Sequence, residues 1–281
     1  MTPVEGKPSG RNLGWLPTAV AAAVLMVSAL ALDFALRPRW RHIAPTEAAP
    51  VLQTFWQRFF DGPQPPLVVY SDAPFVGRPE TGFRYLNPSV TTSDAIRNHY
   101  TGAGEVMAIH ELDGLFAALH RTMRLKRGGL LTSDDAKAGN LIFIGSSFEG
   151  LLPEAARTDD FVFKMADAGP RKGDLSIINH HPRAGEDPVY FSSPDLDYAV
   201  IGLIPGPGAS RNIMILAGLT TLGTQAAAEF VCRSRNVEEL LAALGAPAPA
   251  PVPPFEALLR VKIGSGLPVQ NELLAVHRKK M

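Results

Sequence analysis

Cysteine is almost missing from this chain, and neither sign of charge is in excess. The single cysteine, Cys232, excludes an internal disulfide and every multi-cysteine zinc or iron–sulfur site. Lysine and arginine number 27, as do aspartate and glutamate, so no global basic field draws nucleic acid and DNA binding has no electrostatic support. Complete catalytic and nucleotide motifs are missing too. Gly218 and Gly223 have the glycine spacing of a phosphate loop, but Thr224 and Gln225 stand where lysine and then serine or threonine are needed. The third glycine of the dinucleotide fingerprint is absent as well. In "GSSFEG", residues 145–150, Ser147 stands where a nucleophile elbow would hold its serine, yet Glu149 occupies the second glycine position. "HELDG" begins like a zinc motif at His110 but has Gly114 where the second histidine belongs. His180 and His181 are adjacent, so on a strand their side chains diverge to opposite faces. No cofactor and no metal is expected, and the reading leans away from an enzyme.

What is present begins with a long apolar run. Between Asn12 and Leu32 there is no charged residue, and "WLPTAVAAAVLMVSALAL" extends over about the 20 residues that a bilayer core requires. Ala29-Leu30-Ala31 resembles the small-residue cleavage site of a signal peptide, but the length of the run favours an uncleaved anchor. Lys7 and Arg11 flank one end and Arg37, Arg39 and Arg41 the other, so the flanking charges leave orientation nearly balanced. The expected organisation is a short polar tail over residues 1–12, a transmembrane anchor in contact with membrane lipid over 13–36, and a juxtamembrane linker over 37–50. A single α/β domain follows over 51–281, with a stiff Pro/Ala-rich connector at 246–254.

Within that domain, Val51, Leu52, Phe55, Trp56, Phe59 and Phe60 form the stripe of an amphipathic helix. "LVVY" (67–70), "NLIFIG" (140–145) and "NIMILAG" (212–218) are short apolar runs bounded by turn residues, as buried strands are. Residues 76–104 read as loop, with a short helix capped by Ser93 or Asp94. Helices are expected from Glu105 to about Leu125, at "TSDDAK", from the end of "NIMILAG" to about Arg233, and at "NVEELLAALG" behind a cap at Asn236. "FVFKM", "DLSIINH", "PVYFS" and "DYAVIGLIP" read as antiparallel additions to the same sheet, and "FEALLRVKI" and "LPVQNELLAVH" as a closing hairpin. The fold class is α/β, a mixed sheet of strand–helix units with antiparallel additions, preceded by one N-terminal transmembrane helix.

Three of these strands end in small polar residues: Ser71 and Asp72; Gly145, Ser146 and Ser147; and Gly218, Thr220, Thr221, Gly223 and Thr224. If the strands run parallel, their ends share the edge where open α/β sheets bind ligands. Glycine admits close backbone approach, hydroxyls donate or accept, and a helix start offers free N–H groups to an anion. The same residues also serve as helix caps, at Thr220 or Thr221, and as packing glycines, at Gly218 and Gly223. The expected function is a membrane-anchored, non-enzymatic ligand-sensing or interaction domain for a small polar or anionic ligand, with no nucleic-acid partner. The alternatives are a membrane-tethered hydrolase using Ser147 or a histidine at the same edge, and a structural envelope protein whose hairpin edge recruits a partner.

The order of "FWQRFF", "NLIFIGSS", "FVFK", "DYAVIGLIPGPGASRNIMILAGLTTLGTQAAAEFV" and the closing hairpin resembles a family of uncharacterised bacterial single-pass membrane proteins. Its most specific positions are Asp197-Tyr198-Ala199 and Ala217 to Thr224. Some members of that family carry a winged-helix DNA-binding domain before the membrane helix. The resemblance implies that the C-terminal domain lies across the membrane from the cytoplasm, as a sensor-like module. It brings no catalytic residues, and residues 1–12 are too few for a DNA-binding domain.

Overall fold

The computed structural model describes residues 49–78, 82–85, 97–145, 159–206, 211–246 and 251–279. The expected anchor at 13–36 lies outside them. Among the described residues no helix is long and apolar enough to cross a membrane.

In chain order the first elements are α1 (Pro50–Phe60), β1 (Leu67–Tyr70), β2 (Ala73–Arg78), β3 (Gly82–Tyr85), β4 (Arg97–Tyr100), α2 (Ala103–Ala118), β5 (Arg124–Arg127), α3 (Ser133–Ala138) and β6 (Leu141–Ile144). Then follow β7 (Phe161–Met165), β8 (Leu175–Asn179), β9 (Val189–Phe191), β10 (Leu196–Pro205) and β11 (Asn212–Gly218). The last are α4 (Thr221–Val231), α5 (Ser234–Ala243), β12 (Phe255–Gly264) and β13 (Leu267–Arg278). Seven strands make the main sheet, in the order β13-β12-β10-β11-β6-β1-β5. β11, β6, β1 and β5 are parallel to one another, and β10, β12 and β13 continue the sheet antiparallel.

Both faces of this sheet are covered at its centre, which is why β1, β6 and, from Ile213 on, β11 read as nearly continuous apolar runs. Val68, Ile142, Met214 and Leu216 point to one face and meet α1, α2, α4 and α5 through Trp56, Phe116, Phe230 and Leu240. Leu67, Val69, Phe143 and Ile215 point to the other face, where Phe161, Ile177 and Tyr190 of a second sheet close the layer. That second sheet is β7-β8-β9. Only "DYAVIGLIP", as β10, joins the main sheet antiparallel; the other three runs of that region pack over it instead.

Other boundaries differ from expectation for local reasons. Where loop was expected over 76–104, β3, β4 and the second half of β2 form a third sheet, β3-β2-β4, while Ser93 and Asp94 lie outside the described residues. α2 ends at Ala118, His120 turns the chain at φ 54°, and Arg124 and Leu125 enter β5 beside β1. Leu119 and Met123 still pack against the helical core, which explains their helix-like spacing. α5 starts at Ser234, so Asn236 lies inside it rather than capping it. The cap at "TSDDAK" is a full capping box between Thr132 and Asp135, and the closing hairpin forms as β12 and β13.

Candidate functional site

Strand order supplies what the sequence could not. β6 lies between β1 and β11, with Tyr70 level with Ile144 and Ile144 level with Leu216. The chain therefore leaves all three strands at one edge, at Ser71, Gly145 and Leu219. Backbone bonds lock the step: the N–H of Ser71 donates to the Ile144 carbonyl at 2.9 Å, and that of Gly145 to the Leu216 carbonyl at 3.0 Å. Gly145 has φ +111°, and a Cβ there would overlap the Ser71 hydroxyl, so only glycine fits. Ser146 and Ser147 lie outside the described residues.

The turn from β11 into α4 is organised by Asp197, a residue of β10 that is 1% exposed. Its Oδ2 accepts from the Thr220 N–H at 3.2 Å, the Thr220 hydroxyl at 2.5 Å and the Gly223 N–H at 2.8 Å. Its Oδ1 accepts from the Tyr198 N–H at 2.8 Å. The start of α4 already faces a carboxylate, the partner that a helix N-terminus favours. Thr220 also caps the helix, its hydroxyl accepting from the Leu222 N–H at 3.2 Å. Thr224 is buried, and its hydroxyl accepts from the Gly218 N–H at 3.1 Å. A Cβ on Gly218 would overlap the Thr224 nitrogen, and one on Gly223 would stand 2.7 Å from Asp197 Oδ2. Gly218, Gly223 and Thr224 thus build the turn from within, while Thr220 is exposed and Thr221 half-buried.

Two further groups face the same edge. Glu105, in the first turn of α2, is buried; it accepts from the Ser71 hydroxyl at 3.3 Å and from the Thr221 hydroxyl. The Thr221 oxygen in turn accepts from the Gly104 N–H at 2.7 Å, and the Thr101 hydroxyl donates to the Ser71 carbonyl at 2.8 Å. These bonds tie the starts of α2 and α4 to the end of β1. Asp72 has a side chain only 5% exposed. Its Oδ1 accepts from the Gly129 N–H at 3.2 Å, its Oδ2 lies 2.7 Å from His99 Nδ1, and the Arg127 guanidinium stands 3.8 Å away. Asp197 was visible in the sequence only as part of the stretch carrying the resemblance, and Glu105 only as a first-turn acid. Nothing near His99 or Arg127 in the sequence marks them.

A second polar cluster lies elsewhere, where β7 and the end of β8 meet the start of β12 and the end of β13. Glu256, fully buried, accepts from the N–H groups of Asp159, Asp160 and Phe161 at 2.8 to 3.0 Å and pairs with Lys279 at 2.7 Å. Asp160 meets Lys279 at 3.0 Å and His181 at 2.6 Å, and His277 meets Glu186 at 3.0 Å. Burial pushes the Asp160 carboxyl up, but the hydrogen bonds from Lys279 and His181 outweigh it and hold the group below the usual carboxylate range. Glu186 is held low in the same way, its desolvation outweighed by the Arg183 N–H, Asn179 and His277. Burial pulls Lys279 down, but Glu256 and Asp160 raise it above the ordinary lysine value. His181 is therefore part of this junction and away from the strand-end edge. Burial raises the Cys232 thiol, which makes it a poor nucleophile. Among the described residues no group of three or more His, Cys, Asp or Glu side chains is arranged to hold a metal ion.

The chain matches no family model, no curated protein and no solved structure, so the site is read from its own geometry.

Proposed function

We propose that the domain binds a small polar or anionic molecule at the edge where β1, β6 and β11 end, as a sensing or interaction module tethered by residues 13–36. The adjacency of the three parallel strand ends carries the reading, because the crevice outside such ends is where open α/β sheets take ligands. Ser71, Thr220 and Thr221 remain at least partly accessible there, and a hydroxyl can exchange an internal hydrogen bond for one to a ligand. Asp197 limits the anion reading: a ligand anion at the start of α4 meets a resident carboxylate, so neutral polar groups fit that corner better. The resemblance to single-pass membrane proteins favours a domain outside the cytoplasm.

Ala103 offers a clean test, since it is exposed at the first position of α2, next to Gly104 and its bond to Thr221. Small polar fragments are screened against the purified full chain by ligand-observed NMR, with Ala103→Trp as the obstructing variant. Saturable binding that weakens at least about tenfold in Ala103→Trp supports the edge, one factor of ten being about 1.4 kcal/mol. Binding of equal strength in the two proteins would place the ligand somewhere else. A reporter active only outside the cytoplasm, fused after Met281, tests the placement of the domain. Its silence would reject that placement.

A further inference from the structure

We propose that His99 is a general base that activates water at this edge, so that the domain hydrolyses a carboxylic ester. This goes beyond binding and rests on the binding reading, which brings the substrate to the edge.

Three elements converge on the group. Asp72 lies two residues beyond the end of β1; His99, on β4, pairs across from Pro74, two residues after Asp72; and Arg127, on β5, is level with Tyr70, two residues before it. The Asp72 carboxylate is nearly buried and fixed on both oxygens, by the Gly129 N–H at 3.2 Å and by His99 Nδ1 at 2.7 Å. An ionised carboxylate only accepts, so Nδ1 carries a proton, and in the neutral imidazole the lone pair is on Nε2. The imidazole is thus oriented by an immobile partner, while the His99 side chain is 45% exposed. A base held in one tautomer by a carboxylate, at the mouth of a ligand edge, is the arrangement general-base catalysis requires. Arg127, with its side chain 38% exposed and 3.8 Å from Asp72, offers N–H donors for the oxygen that becomes negative as the carbonyl is attacked.

The step balances without a further reagent. Nε2 takes a proton from water as its oxygen bonds to the carbonyl carbon. The tetrahedral intermediate then expels the alkoxide, which takes the proton back from Nε2. One ester and one water become one carboxylic acid and one alcohol. Asp72 touches neither reactant and is a positioning residue.

The probe is 4-nitrophenyl acetate with the purified full chain. Saturable hydrolysis is expected, with kcat/KM falling by about 100-fold or more in His99→Gln, the usual scale of a lost general base. Asp72→Asn is expected to alter the shape of the pH–rate profile as well as the rate, which a merely structural residue would not do. His180→Gln, an exposed histidine elsewhere, is expected to leave the rate unchanged. Hydrolysis in His99→Gln within twofold of the parent, or no saturable hydrolysis at all, overturns the proposal. Binding of the corresponding amide, N-(4-nitrophenyl)acetamide, separates the two readings. If the amide binds and Ala103→Trp blocks it while hydrolysis fails these tests, the general base is wrong and the binding edge stands. If the amide does not bind and the ester is not turned over, both are wrong.

Discussion

At the scale of single residues, Asp197 shows how one carboxylate can fix a whole turn. Its two oxygens satisfy three backbone N–H groups and one hydroxyl, and water cannot replace it in a pocket that is 1% exposed. Asp197→Ala leaves those donors without partners and removes the charge facing the start of α4. Loss of about 2–4 kcal/mol is expected, measured as a shift in the urea midpoint at constant slope. A loss below about 0.5 kcal/mol would show that the turn is held by Thr220 alone. Gly145 makes the complementary point, since its constraint is conformational: the left-handed φ and the nearby Ser71 hydroxyl both exclude a side chain. Gly145→Ala is expected to cost about 1–3 kcal/mol. The shift should be nearly additive with that of Asp197→Ala if the two ends of the edge are independent, and the double variant checks this.

At the scale of elements, the ionic junction ties the start of β7 to β12 and to Lys279 at the end of β13. Lys279 is the cation facing the buried Glu256, so Lys279→Met is expected to destabilise by about 3–5 kcal/mol, the scale of stranding one partner of a buried pair. The pH dependence follows from the depressed carboxylates. Asp160 and Glu186 sit lower in the folded chain than in the unfolded one, where such groups titrate near about 4. Their contribution is fully present above that value and is lost as pH falls through the lower folded values. The urea midpoint should therefore hold between about pH 5 and 7 and decline below about pH 4. Asp160→Asn, which cannot titrate, should decline less steeply, and an identical slope would remove Asp160 from the account. Much of this element structure was legible. Apolar runs such as "LIFI" announce buried strands, and the capping box announces α3. The end of α2 was not legible, because Leu119 and Met123 continue the helical spacing from a turn, packed on the same core. Nor was the separate sheet β7–β9, since alternation reveals a strand but not which strand it will pair with.

At the scale of the whole molecule, strand order converts scattered small residues into one edge. Ser71, Gly145 and Gly218 are separated by more than 70 residues at each step along the sequence, and only the placement of β6 between β1 and β11 brings them level. Sequence pattern carries the local grammar of each strand end, whereas long-range contacts settle the order. Residue type therefore marks the strand ends of the candidate edge, whereas Glu105, Asp197 and His99, which reach it from other elements, carry no such mark.

The same topology makes a prediction about cooperativity. The two hydrophobic cores lie on opposite faces of the same strands: Val68, Ile142 and Met214 serve one, and Leu67, Phe143 and Ile215 the other. Neither core can dissolve without releasing strands that the other needs. Melting of the helical layer before the β7–β9 layer, or the reverse, would expose one whole face of β1, β6 and β11, which are apolar over nearly all of their length. At about 25 cal/mol per Å² of apolar surface, such a half-covered sheet is strongly disfavoured. Residues 45–281 form one compact unit, so a chain lacking residues 1–44 should unfold in a single transition. Trp56, the only tryptophan in that span, is buried in the helical core with its indole N–H donating to the Val231 carbonyl at 3.2 Å, and its fluorescence reports that face. Amide exchange in β8 reports the other. Coincident midpoints in urea are expected from the two probes. Two separated transitions would mean that β7–β9 are held mainly by the Lys279 and Glu256 junction, and in that case Lys279→Met should widen the gap between them.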